Sequence, residues 1–199
     1  MIGTLYGLVS AIHLVAPEAF NNIGWLVFGR IRPAHTNTIV YGFVLSTLIG
    51  CGLYYTPAVL KTRLWSEPLG WLACVLWNGA VLSGPITYAM GHSQGREYTE
   101  FLYVFDVMLM LSVIILLWMT VMTIFRRGDK LLYVSVWYFV GAFIWTSGTY
   151  FIGNVMWNPP TGAAEGFIDT IYHWFWGHDL PGLLLTPLGL GPVYFVLPR

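Results

Sequence analysis

The segment FLYVFDVMLMLSVIILLWMTVMTIF, residues 101–125, decides the fold of this chain. Its one charged residue is Asp106, near the beginning. A helix rises 1.5 Å per residue, so about 20 apolar residues cross the roughly 30 Å hydrocarbon core of a bilayer. The segment is long enough for this and therefore predicts a membrane-spanning helix.

Four further apolar stretches predict spans of the same kind, over residues 35–55, 69–90, 131–155 and 167–197. Residues 1–15 are apolar but short for a full crossing. They are interpreted as the end of a helix whose beginning is missing, or as a short interfacial helix. The predicted fold class is all-α, a polytopic transmembrane helix bundle forming one domain over residues 1–199.

Composition agrees with a membrane environment. Hydrophobic residues make up 57% of the chain and charged residues 9%, whereas soluble domains carry about 25% charged residues. Basic and acidic residues number 9 each, and no basic run occurs, which argues against a nucleic-acid partner. Lipid is the expected partner. Cys51 and Cys74 lie in apolar runs and are predicted to be small buried residues without a disulfide.

Loop charges predict the orientation. One side of the bundle carries most of the basic residues: Lys61, Arg63, Arg126, Arg127, Lys130 and Arg199. The other side carries Arg30, Arg32 and Arg96 together with most of the loop carboxylates. The positive-inside rule places the first group in the cytoplasm and predicts a multi-pass protein of the cell inner (cytoplasmic) membrane.

Two histidines at membrane depth are the candidate metal ligands. His35 and His178 both enter from the outward side, so both are expected in the outer half of the bilayer. Neutral imidazole binds haem iron and copper. The alternative for each is a buried histidine bonded to a backbone carbonyl or a neighbouring polar group. His173 precedes His178 by five residues, a rotation of about 140° on a helix, and is not on the same face.

Charged residues around these histidines suggest supporting roles. Arg30 and Arg32 could pair with carboxylates such as haem propionates, or extend to the membrane interface as solvated side chains. Asp179 could orient His178. Pro181 should kink the last helix.

A cluster of carboxylates, Glu97, Glu100 and Asp106, is suitable for a hard cation such as calcium. A solvated loop is the alternative interpretation of the same residues.

Three motifs resemble those of the C-family haem–copper oxidases, the cbb-type cytochrome c oxidases. They are FGRIRPAHTNTIVYGF at 28–43, MGHSQGREYTEFLYVFD at 90–106 and IYHWFWGHDLPGLLLTPLGLGPVYFVLPR at 171–199. They occur in the order of the family's catalytic subunit I, at similar separations, and cover essentially the whole chain. The resemblance implies the N-terminal half of that subunit.

The resemblance also implies roles for individual residues. His35 corresponds to an axial ligand of the low-spin haem b, and His178, the expected catalytic residue, to a ligand of copper B beside a high-spin haem. Arg30 and Arg32 correspond to arginines near the haem propionates, and Glu97 to a carboxylate of a calcium site. The implied reaction reduces dioxygen to water with electrons from a c-type cytochrome, coupled to proton pumping.

Some features depart from the family pattern. Asp179 stands where the family has an asparagine, and Pro181 stands where it has a small apolar residue. A nitric oxide reductase-like enzyme on the same scaffold is therefore an alternative. The family subunit has more helices, so the remaining ligands are expected beyond Arg199. The partners would be the other half of subunit I and further oxidase subunits. This chain alone would lack a complete active site. The other alternative to the oxidase is a membrane subunit without catalysis of its own, either a haem-binding or structural subunit or a fragment.

Overall fold

The computed structural model describes residues 1–20, 22–156 and 164–197, and within them the chain forms six helices and no strand. They are α1 (Ile2–Val15), α2 (Phe28–Val59), α3 (Glu67–Ala89), α4 (Tyr103–Phe125), α5 (Val134–Tyr150, extended by Phe151–Met156) and α6 (Gly166–Val196). The predicted all-α helical bundle is therefore confirmed.

Four of the described helices are long and apolar enough to cross a membrane: α2, α3, α4 and α6. Helix α5 covers most of the predicted span 131–155 but is not among these four, so its crossing stays a prediction. Helix α1 is apolar and 14 residues long, which leaves both interpretations of residues 1–15 open.

Helix α2 begins at Phe28, seven residues before the predicted start of its span at residue 35. The charged residues that set the predicted boundary do not end the helix, because they find partners. Arg30 donates to Ala89 O at 2.9 Å, and Arg32 pairs with Glu97 at 2.7 Å.

The core lies between α2, α3, α4, α5 and α6 and is rich in aromatic side chains. Tyr41 of α2 contacts Trp77 of α3 and Phe101, with ring centroids 5.9 Å and 5.4 Å away. Gly52 of α2 faces the ring of Phe139 so closely that a methyl group would overlap it. The absence of a side chain therefore allows α2 and α5 to approach each other.

Three stretches have π-helical hydrogen bonding: Thr38–Leu45 in α2, Phe151–Met156 after α5, and Leu180–Leu185 in α6. Pro181, where a kink was expected, lies in the third of these stretches, and the kink itself stays a prediction. Proline supplies no N–H, and its carbonyl oxygen accepts both the backbone N–H and the hydroxyl of Thr186.

The prediction that the two cysteines are buried is wrong. Cys51 and Cys74 are both exposed, and both are free thiols, as expected. They lie on outer faces of α2 and α3. An apolar run in a membrane helix does not reveal which face points to the bundle, because lipid and core are both apolar.

Candidate haem and metal site

His35 is held by α1. Its Nδ1–H donates to Gly3 O at 2.7 Å, because a carbonyl oxygen can only accept. The ring also packs on Gly7, where a Cβ would stand 2.6 Å from Cε1. A histidine whose Nδ1–H is bound to a carbonyl keeps the Nε2 lone pair for a metal, with the ring orientation fixed. His35 therefore fits an axial haem ligand.

His178 is presented differently, at the edge of an open groove. Its side chain is 87% exposed, and its Nδ1 lies 3.3 Å from Asp179 Oδ1. The groove has a volume of about 600 Å³ and is lined by Val40 of α2, Tyr98 and the His178 segment of α6. An accessible imidazole with a carboxylate on one ring nitrogen has the donor chemistry of a copper ligand. The predicted orienting role of Asp179 fits this geometry.

The two histidines enter the bundle from the same end. We call this the entry end. It is the end where α2, α4 and α6 begin, and the α3–α4 loop (residues 90–102) contacts all three helices there. Val40 lies five residues after His35 and lines the groove of His178. The two candidate ligands thus belong to adjoining regions.

His173 is buried, and neither of its ring nitrogens has a hydrogen-bond partner in the described part of the chain. Its burial, against the exposure of His178, confirms that the two histidines lie on different faces of α6.

The two arginines before His35 contact protein groups. Arg30 donates to Ala89 O, and its guanidinium lies over Gly91, where a Cβ would be 2.9 Å from Nη2. Arg32 pairs with Glu97 at 2.7 Å and with Glu100 at 3.5 Å. Both arginines lie within about two turns of His35. Their contact with haem propionates stays a prediction.

The three carboxylates of the predicted calcium cluster differ in their main partners, although Glu97 and Glu100 both contact Arg32. Glu97 pairs with Arg32, whereas Glu100 is buried and accepts a hydrogen bond from Asn37 Nδ2 at 2.8 Å. Burial raises the pKa of Glu100, although the bond from Asn37 opposes this.

Asp106 is buried on α4, where it accepts hydrogen bonds from Tyr150 at 2.8 Å and from Gln94 at 2.6 Å. Within the described residues, no three His, Cys, Asp or Glu side chains converge to hold a metal. A calcium ion at Glu97 stays a prediction, and its further ligands would have to be carbonyl, amide or water oxygens.

Arg96 is the main residue that the sequence did not single out. Its side chain is 6% exposed, and it donates to Gly153 O at 2.7 Å and to Asp169 Oδ1 at 2.6 Å. Next to it, Thr99 donates to Asn154 Oδ1 at 2.6 Å. The acidic Asp169 in the first turn of an apolar helix was the available signal, since such a carboxylate needs a partner.

Comparison with known proteins places these observations in a family. The model of the family described as "Cytochrome C and Quinol oxidase polypeptide I" matches residues 1–199. The chain is 28% identical to "Cytochrome c oxidase subunit 1 homolog, bacteroid" of Bradyrhizobium diazoefficiens, over 99% of this chain and 37% of that protein.

Two further relatives have similar identity. The chain is 27% identical to "Cytochrome c oxidase subunit 1" of Rhodobacter capsulatus, over 100% of this chain and 39% of the relative. It is also 27% identical to "Cbb3-type cytochrome c oxidase subunit CcoN1" of Stutzerimonas stutzeri, over 100% of this chain and 43% of the relative. The chain therefore spans about two fifths of the length of these relatives.

Proposed function

Because the chain belongs to the Cytochrome C and Quinol oxidase polypeptide I family, we propose that it is the haem-carrying part of a terminal respiratory oxidase. The resemblance of its three motifs to the cbb-type enzymes is confirmed by its match to a cbb3-type subunit along its whole length. The proposed reaction reduces dioxygen to water with electrons from a c-type cytochrome, coupled to proton pumping across the inner membrane.

The observation that carries the proposal is the anchoring of His35. Its Nδ1 is fixed by Gly3 O, and its ring lies against Gly7. Nδ1 is thus bound to the backbone, and Nε2 is the nitrogen that would bind an iron atom.

The chain's own residues would divide the work between two sites. His35 would hold the low-spin haem b, while Arg30 and Arg32 would neutralise carboxylates near the entry end. His178 would contribute one ligand of copper B, and Asp179 would hold its ring orientation through Nδ1. When bound, the haems and copper supply one-electron transfer and dioxygen chemistry that side chains lack. Other ligands would come from the remainder of subunit I.

The test is a reduced-minus-oxidised visible spectrum with pyridine haemochrome, measured on the protein purified from its native membranes with its partners. A b-type signal that disappears in His35→Ala is the expected result. His92→Ala is the matched control, because His92 lies exposed in the α3–α4 loop. A protein without haem, or a signal equally strong in His35→Ala, would contradict the proposal.

A second candidate, a nitric oxide reductase-like enzyme, is favoured by Asp179. A carboxylate beside His178 suits a non-haem iron better than copper, because iron sites accept carboxylate ligands. Asp179 Oδ2 is buried and lacks a hydrogen-bond partner among the described residues, so it could serve in this way. Consumption of nitric oxide without consumption of dioxygen by the purified complex, with iron in place of copper, would select this alternative.

A further inference from the structure

A buried arginine of the α3–α4 loop connects three parts of the fold. Arg96 reaches Gly153 O in the π-helical extension of α5 and Asp169 Oδ1 in the first turn of α6. The fork of the guanidinium allows one side chain to bind two acceptors at once, which a lysine ammonium does with less geometric control. The loop is therefore attached firmly to the helix that carries His178.

The next residue in the chain attaches the same loop to the other histidine helix. Glu97 pairs with Arg32, which lies three residues before His35, and Glu100 accepts from Asn37, two residues after His35. Consecutive loop residues thus contact α2 and α6 separately. The loop fixes the relative position of the two helices at their entry ends.

The contact of Arg96 with Gly153 extends this restraint toward His178. A Cβ at Gly153 would stand 2.6 Å from Trp176 Cβ and 3.1 Å from Tyr172 O, so α5 and α6 touch backbone to backbone there. Trp176 precedes His178 by two residues and is fully buried. A shift of the Gly153 carbonyl would therefore move the segment of α6 that presents His178.

We propose that Arg96 is a positioning residue that sets the location of His178 relative to the helix of His35. This rests on the proposed function, because it assigns the two histidines to neighbouring redox sites. Arg96 touches neither site. It acts through Asp169 and Gly153, and Glu97 and Arg32 complete the connection to α2.

Variants of the two charged partners separate positioning from general stability. Arg96→Gln removes both the charge and the fork. Arg96→Lys keeps the charge and one donor group, and Asp169→Asn leaves the bond from Arg96 to Gly153 in place. The control is Lys61→Gln, which breaks the exposed ion pair of Lys61 with Asp129 at the opposite end of the bundle.

The first readout is independent of any cofactor. In a background with Cys51→Ala and Cys74→Ala, Val40→Cys and Gly182→Cys place two thiols on the two walls of the groove. A short bifunctional thiol reagent should cross-link them in native membranes. We expect the cross-link to be lost or strongly slowed in Arg96→Gln, slowed in Asp169→Asn, partly restored in Arg96→Lys, and unchanged in Lys61→Gln.

The second readout is the metal content of the purified complex. A group that hydrogen-bonds a metal ligand contributes about 10- to 100-fold to metal affinity, and we expect a loss of the same order when His178 is displaced through α6. Arg96→Gln should therefore lose copper while the b-type haem bound through His35 remains. Arg96→Lys should recover part of the copper.

Cross-linking that is equally fast in the parent, Arg96→Gln and Asp169→Asn would overturn the inference. Copper and haem lost together in both variants would also overturn it, since that pattern indicates general loss of structure. If Arg96→Gln does not accumulate in the membrane, Asp169→Asn decides by the same criteria. A parent complex without haem would refute the proposed function, and the cross-linking rates would still decide whether Arg96 positions α6.

Discussion

Replacement of Gly7 by alanine tests the anchoring of His35 most directly. A Cβ at this position would lie 2.6 Å from Cε1 and 2.8 Å from Nδ1 of His35, whereas ordinary contacts begin near 3.4 Å. The ring must therefore retreat by about 0.8 Å, the difference between 3.4 and 2.6 Å. Gly3 lies one turn before Gly7 on the same helix, so this movement also separates Nδ1 from Gly3 O.

The energetic consequence follows from that distance. The hydrogen bond, now 2.7 Å, would lengthen to at most about 3.5 Å, the value for a ring that moves directly away from α1, and a good N–H···O bond ends at roughly 3.2 Å. Overpacking costs about 1–3 kcal/mol, and the lost hydrogen bond adds about 1 kcal/mol. The freed ring loses its fixed orientation, and haem affinity should fall about 10- to 100-fold.

The assay is b-type haem per protein by pyridine haemochrome, together with thermal denaturation of the purified complex. Gly50→Ala is the matched control, because Gly50 lies in α2 with nothing within 4 Å of its Cβ position. It should keep its haem and gain up to about 1 kcal/mol from helix propensity. Equal haem content and stability in Gly7→Ala and Gly50→Ala would refute the reasoning about His35.

Three further predictions concern buried residues near the entry end: Glu100, Gly153 and Tyr150. Because burial raises the pKa of Glu100, the folded protein keeps this proton where the unfolded chain has lost it. Thermal stability should thus fall as the pH rises from 4.5, the ordinary pKa of a glutamate, through the raised pKa of Glu100. Glu100→Gln should flatten this dependence of stability on pH. A pH profile that is the same in the parent and in Glu100→Gln would contradict the prediction. Gly153→Ala should destabilise the complex by about 1–3 kcal/mol, because the new methyl group would overlap Trp176 Cβ and Tyr172 O of α6. Gly148→Ala is the control, since no atom lies within 4 Å of its Cβ position, and it should not destabilise the complex. Tyr150→Phe removes one hydrogen-bond donor to the buried Asp106. The free energy of unfolding, measured by thermal denaturation, should fall by about 1–3 kcal/mol. An unchanged stability would show that the hydrogen bond from Gln94 alone satisfies Asp106.

The helices were predictable because a membrane segment must be apolar over a fixed length. The predicted span 101–125 coincides with α4 except for its first two residues, and the span 69–90 differs from α3 by two residues at most. Helix α2 deviates most, since Arg30 and Arg32 pair with groups near residues 89–100. Their partners lie more than 50 residues away in the chain, and no local pattern reveals them.

His35 and His178 could be named as candidate ligands from the sequence, because an imidazole at membrane depth needs a function or a partner, and their roles as ligands stay predictions. The burial of the α3–α4 loop could not be predicted from the sequence. Residues 91–100 have the composition of a solvated loop, yet Arg96, Thr99 and Glu100 are buried. The loop turns inward at Tyr98, a non-glycine residue with φ of 63°. That uncommon conformation is stabilised from outside the loop, by a hydrogen bond from Tyr41 to Tyr98 O at 2.5 Å.

A π-helical segment begins three residues after His35 in α2 and two residues after His178 in α6. A π turn inserts one extra residue, which rotates everything after it by about 100° relative to a regular helix. In α6 the sequence contains a cause, since Pro181 cannot donate. In α2 the segment contains Tyr41, whose carbonyl oxygen accepts from Ser46 Oγ of the same helix at 2.8 Å and from Trp77 Nε1 of α3 at 3.1 Å. Each helix can therefore orient its histidine at the entry end independently of the face that it packs against the core below.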